Sequence, residues 1–370
     1  MLMRGTAKHS RQEIDDALDA YRARVSINGD ATATQARGQT VRERLPDTLK
    51  LVAEILREPS FPTSEFQTLK RERSTDIEGR RSDPEDIAER TLGRYDNPYA
   101  RDDVRYVPTA DEEISNIEAT KLETVREFYE RFAGGTHAEL AIVGDFDAAS
   151  VKPLLEELFG SWQSRAPYAR VPKPLVSKRA IEIRQVTPDK ANAVLAGALA
   201  LPVNDTSADF PALYVANFIL GGSSTSRLWE RIRQKEGLSY SVYSALEPSS
   251  FEPNTTLTVE AIFAPENLAR LRTALNEEIA RAVRDGFTQA EVADAKRAIL
   301  QERALARTQD ARLAAELARQ AHLGRTFAYS AKIDAEIAAL TAETVNAALR
   351  KYVKPAAFVD VYAGDFAKKP

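Results

Sequence analysis

The chain has 370 residues, of which 43% are hydrophobic and 29% charged, with a formal net charge of −4 at pH 7. This composition is typical of a globular protein with length for about two domains. The weakly acidic balance disfavours nucleic acid and anionic membrane surfaces as partners. There is no cysteine, which excludes disulfides, thiolate catalysis and thiolate metal sites. The longest apolar stretch, around residues 191–203, is too short and too interrupted to span a bilayer.

A set of short motifs occurs twice along the chain, roughly 220 residues apart. PDTL at residues 46–49 opens an amphipathic helical pattern, as PENL does at residues 265–268. Near the end of each half, GDF follows a β-rich run, at residues 144–146 and again at 364–366. A phenylalanine with a glutamate four residues later also recurs: Phe61 with Glu65, and Phe287 with Glu291. The repeats predict two similar α+β domains in series.

The second half gives the clearer order of elements. Strands are predicted at residues 180–186, 191–199 and 255–262, helices at 208–220, 342–352 and across most of 265–323, and a last strand before residue 364. Strands that are adjacent in sequence, without strict alternation with helices, favour an antiparallel sheet with helices packed on one face. The alanine-rich stretch within 287–323 also fits a coiled-coil arm, but its small side chains suit close packing between helices better.

Residues 164–178, SRAPYARVPKPLVSK, are rich in proline and basic residues and lack a hydrophobic period, so they predict a semi-extended linker. The first domain is therefore placed at residues 1–163 and the second at 179–370. When the halves are aligned, Met1 falls just after the counterpart of residues 178–220, so two strands and a helix of the second domain have no equivalent in the first. We expect an exposed sheet edge and apolar face there, covered by an upstream stretch of a longer polypeptide or by a partner.

The segment most informative about function is GGSSTSRLWERIRQKEGLSYSVY at residues 221–243, here called the signature segment. It predicts a glycine-serine turn, a short charged helix and an alternating strand, which places Arg233 and Tyr240 at a helix-to-strand junction. A guanidinium offers five N–H donors and stays charged, and a phenol is neutral at pH 7. Together they can hold a peptide carbonyl and stabilise the oxyanion that forms when water attacks it. Spacing alone is more typical of a surface arginine beside a tyrosine that packs on the core.

The run GGSSTSRLWERIRQKEGLSYSV resembles the second-domain signature of the pitrilysin/insulinase family of zinc metallopeptidases, to which the mitochondrial processing peptidase also belongs. In that family an arginine and a tyrosine in R-x6-Y spacing contact the substrate near the metal, and Arg233 and Tyr240 match these positions. Three further stretches, MLMRGTAKHSRQEIDDAL, ILREPSFPTSEF and AIVGDFD, are also similar to family segments. The resemblance implies a clamshell of four similar domains, with zinc in one half and the arginine-tyrosine pair in the other.

In the resembled family a helix carries H-x-x-E-H, whose two histidines bind zinc and whose glutamate activates water. This sequence has no such motif, and His9, His137 and His322 lie far apart, as expected for surface or internally satisfied side chains. The resemblance places Asp76 at the position of the family's third zinc ligand, a glutamate. Aspartate is one methylene shorter, so its carboxylate stops more than ~1 Å short of a zinc–oxygen distance of about 2.0–2.2 Å, and Glu78 lies on another helix face. We therefore expect neither a metal site nor a catalytic residue in this chain alone.

The resemblance implies the non-zinc half of a zinc-dependent metalloendopeptidase. Such a half clamps an extended peptide and supplies Arg233 and Tyr240 to the active site of a zinc-bearing half, in the same polypeptide or as a separate subunit. Two alternatives stay open: an ordinary active peptidase whose H-x-x-E-H lies upstream of Met1, and a non-catalytic scaffold or binding protein on the same fold. The expected partner is a peptide or protein substrate. Bacterial relatives imply an envelope or periplasmic location, with the cytoplasm as the alternative.

Overall fold

The computed structural model describes residues 1–366. The α-helices are α1 (Arg11–Ala20), α2 (Leu45–Arg57), α3 (Thr63–Arg80), α4 (Pro84–Arg94), α5 (Ala110–Ala119), α6 (Leu122–Phe132), α7 (Ala148–Phe159), α8 (Phe210–Leu220), α9 (Leu268–Asp285), α10 (Gln289–Ala306), α11 (Asp310–His322), α12 (Ala328–Ala339) and α13 (Ala342–Tyr352). The strands are β1 (Arg24–Gly29), β2 (Thr34–Gln39), β3 (Ile181–Val186), β4 (Ala193–Leu201), β5 (Ser239–Pro248), β6 (Thr255–Phe263) and β7 (Val359–Gly364). No helix in this described part of the chain is long and apolar enough to cross a bilayer.

Spatial proximity divides the chain into two compact units. Unit 1 comprises Met1–Glu78, Ala110–Val171 and Arg307–Arg325. Unit 2 comprises Gly79–Thr109, Pro172–Ala306 and the chain from Thr326 onward. The sequence repeat placed the two domains at residues 1–163 and 179–370, with a linker at 164–178. These boundaries stay a prediction.

Unit 2 is built on a five-stranded sheet in the order β3-β7-β4-β6-β5. The pairs β4–β7, β4–β6 and β5–β6 are antiparallel, as predicted, whereas β3 runs parallel to β7. The difference arises because β7, the last strand, lies between β3 and β4. Two strands that are adjacent in sequence are therefore not hydrogen-bonded to each other. β5 forms one edge of the sheet and β3 the other.

Helices cover both faces of this sheet, where the sequence predicted one. On one face α8 is apolar on nearly all sides, and Leu213, Val215 and Leu220 are almost fully buried in the main core, together with residues of α9, α10 and α13. On the other face α4 places Ala88, which is 0% exposed, in a second cluster with residues of β4 and β7. This cover explains why β4 is a nearly continuous apolar run, since a strand buried on both faces needs no polar alternation.

Unit 1 contains a smaller core and little sheet. Ile14 of α1 and Ile55 of α2, both 0% exposed, form the centre of its apolar cluster, and β1 and β2 form an antiparallel hairpin that ends at Gly29 and Thr34. The β-rich run before the first GDF motif, at residues 140–143, was expected to form a strand but forms no ladder with any residue of the described chain. A strand requires a neighbour for its backbone donors and acceptors, so the antiparallel sheet expected for the first domain is represented only by the hairpin.

Candidate functional site

The signature segment begins where α8 ends, at a close approach between helix and sheet. Ser244 of β5 donates its backbone N–H to the carbonyl of Gly221 at 3.0 Å, and its hydroxyl donates to Asn217 Oδ1 at 2.7 Å. A Cβ on Gly221 would stand 2.7 Å from the Ser244 nitrogen, a distance that only glycine avoids. These contacts fix the start of the segment relative to β5.

Arg227 anchors the next part of the segment to the beginning of α10. Its Nε and Nη2 donate to the two carboxylate oxygens of Glu291 at 2.7 and 2.9 Å, and Nη2 also donates to the carbonyl of Gly286 at 2.9 Å. Burial alone would raise the pKa of Glu291, but hydrogen bonds from Arg227 and from Thr288 outweigh it and lower the pKa to about 2. Bidentate pairs of this kind combine strength with a defined orientation.

The charged helix predicted from the sequence is a π-helical turn, Trp229–Lys235. The backbone N–H of Glu236 bonds to the carbonyl of Arg231 at 3.0 Å, five residues earlier. Such turns are rare and occur frequently at functional sites. Within this turn, the guanidinium carbon of Arg233 lies 4.3 Å from the centroid of the Trp229 ring, a distance typical of a cation–π contact.

Tyr240 is the extra residue of a β-bulge at the start of β5. Its neighbours Ser239 and Ser241 pair with consecutive residues of β6, which leaves Tyr240 without a partner in that strand. Bulges change the direction of a side chain, and Tyr240 is 75% exposed. Its ring centroid lies 5.3 Å from the guanidinium carbon of Arg233. The structure therefore brings the predicted pair together, with Arg233 contacting the rings of both Trp229 and Tyr240.

Arg233 differs in its partners from the other arginines of the segment. Arg227 is held by Glu291, and Arg231 donates from Nε to Glu236 at 2.9 Å and also contacts the carboxylate of Glu278 at 3.7 Å. Within residues 1–366, Arg233 has no carboxylate partner, and its contacts are the two rings. A guanidinium stacked in this way keeps the N–H donors at its edge available in a fixed plane.

A second tyrosine on β5 has a different environment. The hydroxyl of Tyr243 donates to Glu260 on β6, and burial together with this carboxylate raises the pKa of Tyr243 well above its ordinary value. Burial and the charges of Glu260 and Glu85 also raise the pKa of Glu89 on α4. Tyr243 is thus committed to an internal bond, which leaves Tyr240 as the tyrosine of the segment that is free to meet a ligand.

The residues present do not fit a zinc ion. Across residues 1–366 no group of three histidine, cysteine, aspartate or glutamate side chains is close enough to hold a metal. Asp76 lies on α3 and is exposed, next to the buried Ile77. The role of Asp76 as a degenerate ligand position stays a prediction. No step of the chemistry is therefore assigned to a metal held by this chain.

The three histidines lie in separate surroundings. His9 Nδ1 is 2.7 Å from a carboxylate oxygen of Glu54, and His322 Nδ1 is 3.1 Å from one of Glu139. The ring of His137 packs at 4.7 Å from that of Tyr168. Each histidine thus has its own partner in the fold, as the sequence predicted.

Two features of the site were not predicted from the sequence. Trp229 lies four residues before Arg233, a spacing that places two side chains on one face of a helical turn, and this signal was available. The bulge that exposes Tyr240 has no local signal, because it depends on the register between β5 and β6.

Comparison with known proteins finds a family model and several relatives that the chain resembles. Residues 120–299, which include the signature segment, match the family model of the Peptidase M16 inactive domain. A Bacillus subtilis protein named uncharacterized zinc protease YmxG is 24% identical over 296 residues, 80% of this chain and 70% of that protein. The Mycobacterium leprae protein named uncharacterized zinc protease ML0855 is 25% identical over 80% of this chain and 65% of its own length. The chain thus spans about two thirds of these relatives, whose names agree with the resemblance stated from the sequence.

Solved structures show the same fold. The peptidase M16 inactive domain from Pseudomonas fluorescens superposes with a TM-score of 0.83 at 21% identity, over 98% of this chain and 86% of that one. The periplasmic protease PqqL from Escherichia coli superposes with a TM-score of 0.75 at 15% identity, over 98% of this chain but only 39% of that longer chain. At these identities the likeness establishes the α+β fold alone.

Proposed function

We propose that this chain, whose residues 120–299 match the family model of the Peptidase M16 inactive domain, is the half of a zinc peptidase that holds the substrate and does not bind zinc. In this role it clamps an extended peptide with Arg233 and Tyr240, and a partner half provides the zinc that activates water for hydrolysis. The partner half is joined in the same polypeptide or is a separate subunit.

The observation that carries this proposal is the state of Arg233. Among the described residues this arginine contacts two aromatic rings and no carboxylate, whereas Arg227 and Arg231 are both paired with glutamates. A structural arginine is usually neutralised within its own fold. An arginine that is oriented but unneutralised is suited to a ligand that brings an oxygen acceptor, such as a peptide carbonyl.

The chemistry of the pair follows from its donors. The edge of the Arg233 guanidinium and the hydroxyl of Tyr240 both donate hydrogen bonds, and neither group is a nucleophile at neutral pH. They can therefore orient a carbonyl and stabilise negative charge that develops on its oxygen, which is the task of an oxyanion hole. The stacking of Arg233 on Trp229 reduces the motion that a free arginine side chain would lose on binding.

The position of β5 supports binding of an extended chain. β5 is an edge strand of the sheet in unit 2, and Tyr240 lies at its first residues. A peptide can add to such an edge through main-chain hydrogen bonds, a mode of binding that would tolerate many peptide sequences. This geometry would carry the peptide past Tyr240 and Arg233.

The cellular location belongs to the same proposal. The structural neighbour PqqL is described as a periplasmic protease, and the suggested role suits a bacterial envelope location, where extended or unfolded peptides are degraded. The cytoplasm is the alternative, and fractionation of the source cell distinguishes the two.

Peptide binding tests the proposal directly. The chain has two tryptophans, so a Trp162→Phe background makes Trp229, which stacks on Arg233, the single fluorescent reporter. Titration with an unstructured peptide that lacks tryptophan should change the emission, and Arg233→Ala should weaken binding by about tenfold or more, the range for a lost charged hydrogen bond. Lys235→Ala is the matched control, because it removes a positive charge from the same turn at an exposed position.

Reconstitution with the zinc-bearing half then tests the catalytic contribution. Arg233→Ala should lower kcat/KM by about tenfold to a thousandfold, as for the loss of an oxyanion donor, and Arg233→Lys should not restore it, because lysine lacks the planar fork. Normal peptide binding and normal cleavage by Arg233→Ala would refute the proposal. That result would favour a non-catalytic scaffold on the same fold.

A further inference from the structure

Tyr240 points away from the face of β5 that a regular strand would give it. Val242, two residues later, is 0% exposed and belongs to the main core, and Ser244, two residues further, bonds to Asn217 of α8 on the same side. Alternate residues of a regular strand share a face, so Tyr240 would also point into the core. It is instead 75% exposed, because the bulge shifts the alternation by one residue.

Ser239 takes the core-facing place at this end of β5. It pairs with Phe263 of β6, a residue of the main core that is 1% exposed, and residues that lie opposite each other in an antiparallel pair share a face. Ser239 itself is 8% exposed. A small side chain is thus buried at this position, and the aromatic side chain next to it points outward.

The hydroxyl of Ser239 lies at the point where the bulge interrupts the sheet. It is within hydrogen-bond distance of two carbonyl oxygens, that of Ile262 on β6 at 2.7 Å and that of Ser241 on the far side of the bulge. A bulge disrupts the local ladder of backbone hydrogen bonds, and a carbonyl removed from water requires a donor. The one hydrogen of the hydroxyl therefore supplies a donor between the two strands at the bulge.

The residue before Ser239 is fixed to the turn that carries Arg233. The backbone N–H of Leu238 donates to the carbonyl of Ile232, in the π-helical turn, at 2.9 Å, and Leu238 is 1% exposed. The chain is thus anchored to that turn just before the bulge. The direction of Tyr240 relative to Arg233 then depends on the geometry of the bulge itself.

We propose that Ser239 is a positioning residue for Tyr240: its hydroxyl holds the bulge that keeps the Tyr240 ring out of the core and beside Arg233. Without this hydroxyl the carbonyls of Ile262 and Ser241 lose their shared donor, and the ring leaves the guanidinium as the bulge rearranges. Ser239 acts only through Tyr240. Its effect on peptide binding rests on the function proposed above, whereas its effect on the direction of Tyr240 does not.

A spectroscopic double-mutant cycle tests the direction of Tyr240 in the absence of peptide. A fluorotyrosine in place of Tyr240 provides a single fluorine resonance, and Arg233→Ala should shift it, because the guanidinium carbon lies 5.3 Å from the ring centroid. In a Ser239→Ala background the same Arg233→Ala change should shift the resonance about threefold less, or not at all. Ser241→Ala is the matched control. It removes a neighbouring hydroxyl but keeps the backbone carbonyl that Ser239 contacts, so the full shift should remain.

Ser239→Cys provides the same measurement if the alanine variant does not fold. A thiol is close in size to a hydroxyl but is a weak donor, so the shift caused by Arg233→Ala should be smaller than in the wild-type background. The proposal is overturned if folded Ser239→Ala or folded Ser239→Cys retains the full shift.

Peptide binding then separates this inference from the proposed function. With Trp229 as the fluorescent reporter, Ser239→Ala should weaken binding about threefold to tenfold. Tyr240→Ala should weaken binding at least as much, and adding Ser239→Ala to it should cause no further loss, because the serine acts through the tyrosine. Fully additive losses would overturn the positioning role. If Ser239→Ala loses the Arg233-dependent shift while it and Tyr240→Ala both bind peptide normally, Ser239 does direct Tyr240, and the ligand role of Tyr240 is refuted instead.

Discussion

Arg227 and Glu291 join the signature segment to the start of α10 by two parallel hydrogen bonds, with N–O distances of 2.7 and 2.9 Å. The first half of the chain has a related contact, because Arg11 Nη1 lies 3.4 Å from Glu65 Oε2. Both glutamates follow a repeated phenylalanine by four residues. The repeated glutamate therefore meets an arginine in both halves, and in unit 2 this contact also fixes the segment that carries Arg233.

The Glu291→Gln variant should lose stability at neutral pH. The pKa of Glu291 in the fold is about 2, below its ordinary value of 4.5, so the ionised carboxylate stabilises the folded state above pH 4.5 and this contribution is lost as the pH falls towards 2. Because the side chain is 31% exposed, we expect a loss of roughly 1–2 kcal/mol, less than the full shift implies. Urea unfolding at several pH values measures it.

The pH dependence separates this effect from a general loss of packing. The difference in unfolding free energy between the wild type and Glu291→Gln should have its largest value at pH 7 and should decrease below pH 4.5. An equal difference at pH 7 and at pH 3 would contradict the role assigned to the ion pair. Asp294→Asn, at an exposed position on the same helix, should show no such trend.

Gly221→Ala should destabilise the protein through a single added methyl group. The new Cβ would stand 2.7 Å from the backbone nitrogen of Ser244 and 2.5 Å from its hydroxyl, so β5 and the end of α8 must separate. We expect a loss of about 1–3 kcal/mol, as for overpacking of a filled core, measured by thermal or denaturant unfolding. Gly79→Ala is the matched control, because nothing lies within 4 Å of its Cβ position on α3. Equal stability of the two variants would refute the close approach.

Zinc analysis of the purified chain tests the expectation that it holds no metal site. After dialysis against a low concentration of zinc, elemental analysis should find far less than one zinc per chain, because no suitable group of ligands occurs among residues 1–366. Asp76→Glu restores the side-chain length expected of the family's third ligand and should still not create a site by itself. One tightly bound zinc per chain would overturn the assignment of this chain as the non-zinc half.

The sequence predicted those parts of the fold and site that depend on local pattern. The helix expected at 208–220 is α8, an apolar stretch with a proline in its first turn and a glycine directly after its end. The strand expected at 255–262 is β6, which alternates in burial and is rich in β-branched residues. Local pattern does not encode contacts between distant segments. It therefore could not predict that β7 lies between β3 and β4, or that α4 covers one face of the sheet. The same limit applies to the site: the spacing of Arg233 and Tyr240 was visible, but their shared contact required the bulge.

Asp360 in β7 provides a test of how burial affects stability. Burial, with the nearby charge of Glu182, raises the pKa of Asp360 to about 6, and its Oδ1 has no hydrogen-bond partner within the described chain. A carboxyl whose pKa is raised in the folded state favours the fold when it is protonated. The wild type should therefore lose stability as the pH rises from about 4, the ordinary pKa of aspartate, to about 6.

The Asp360→Asn variant should not lose stability between pH 4 and pH 6, because the amide has nearly the same shape as the carboxyl group and no charge. We expect it to be more stable than the wild type by about 2 kcal/mol at pH 8 and nearly equal to it below pH 4. Guanidinium unfolding at pH 3.5, 5, 6.5 and 8 measures the difference, with Asp294→Asn as the exposed control. A variant that is equally or less stable than the wild type at pH 8 would show that the ionised Asp360 is compensated within the sheet.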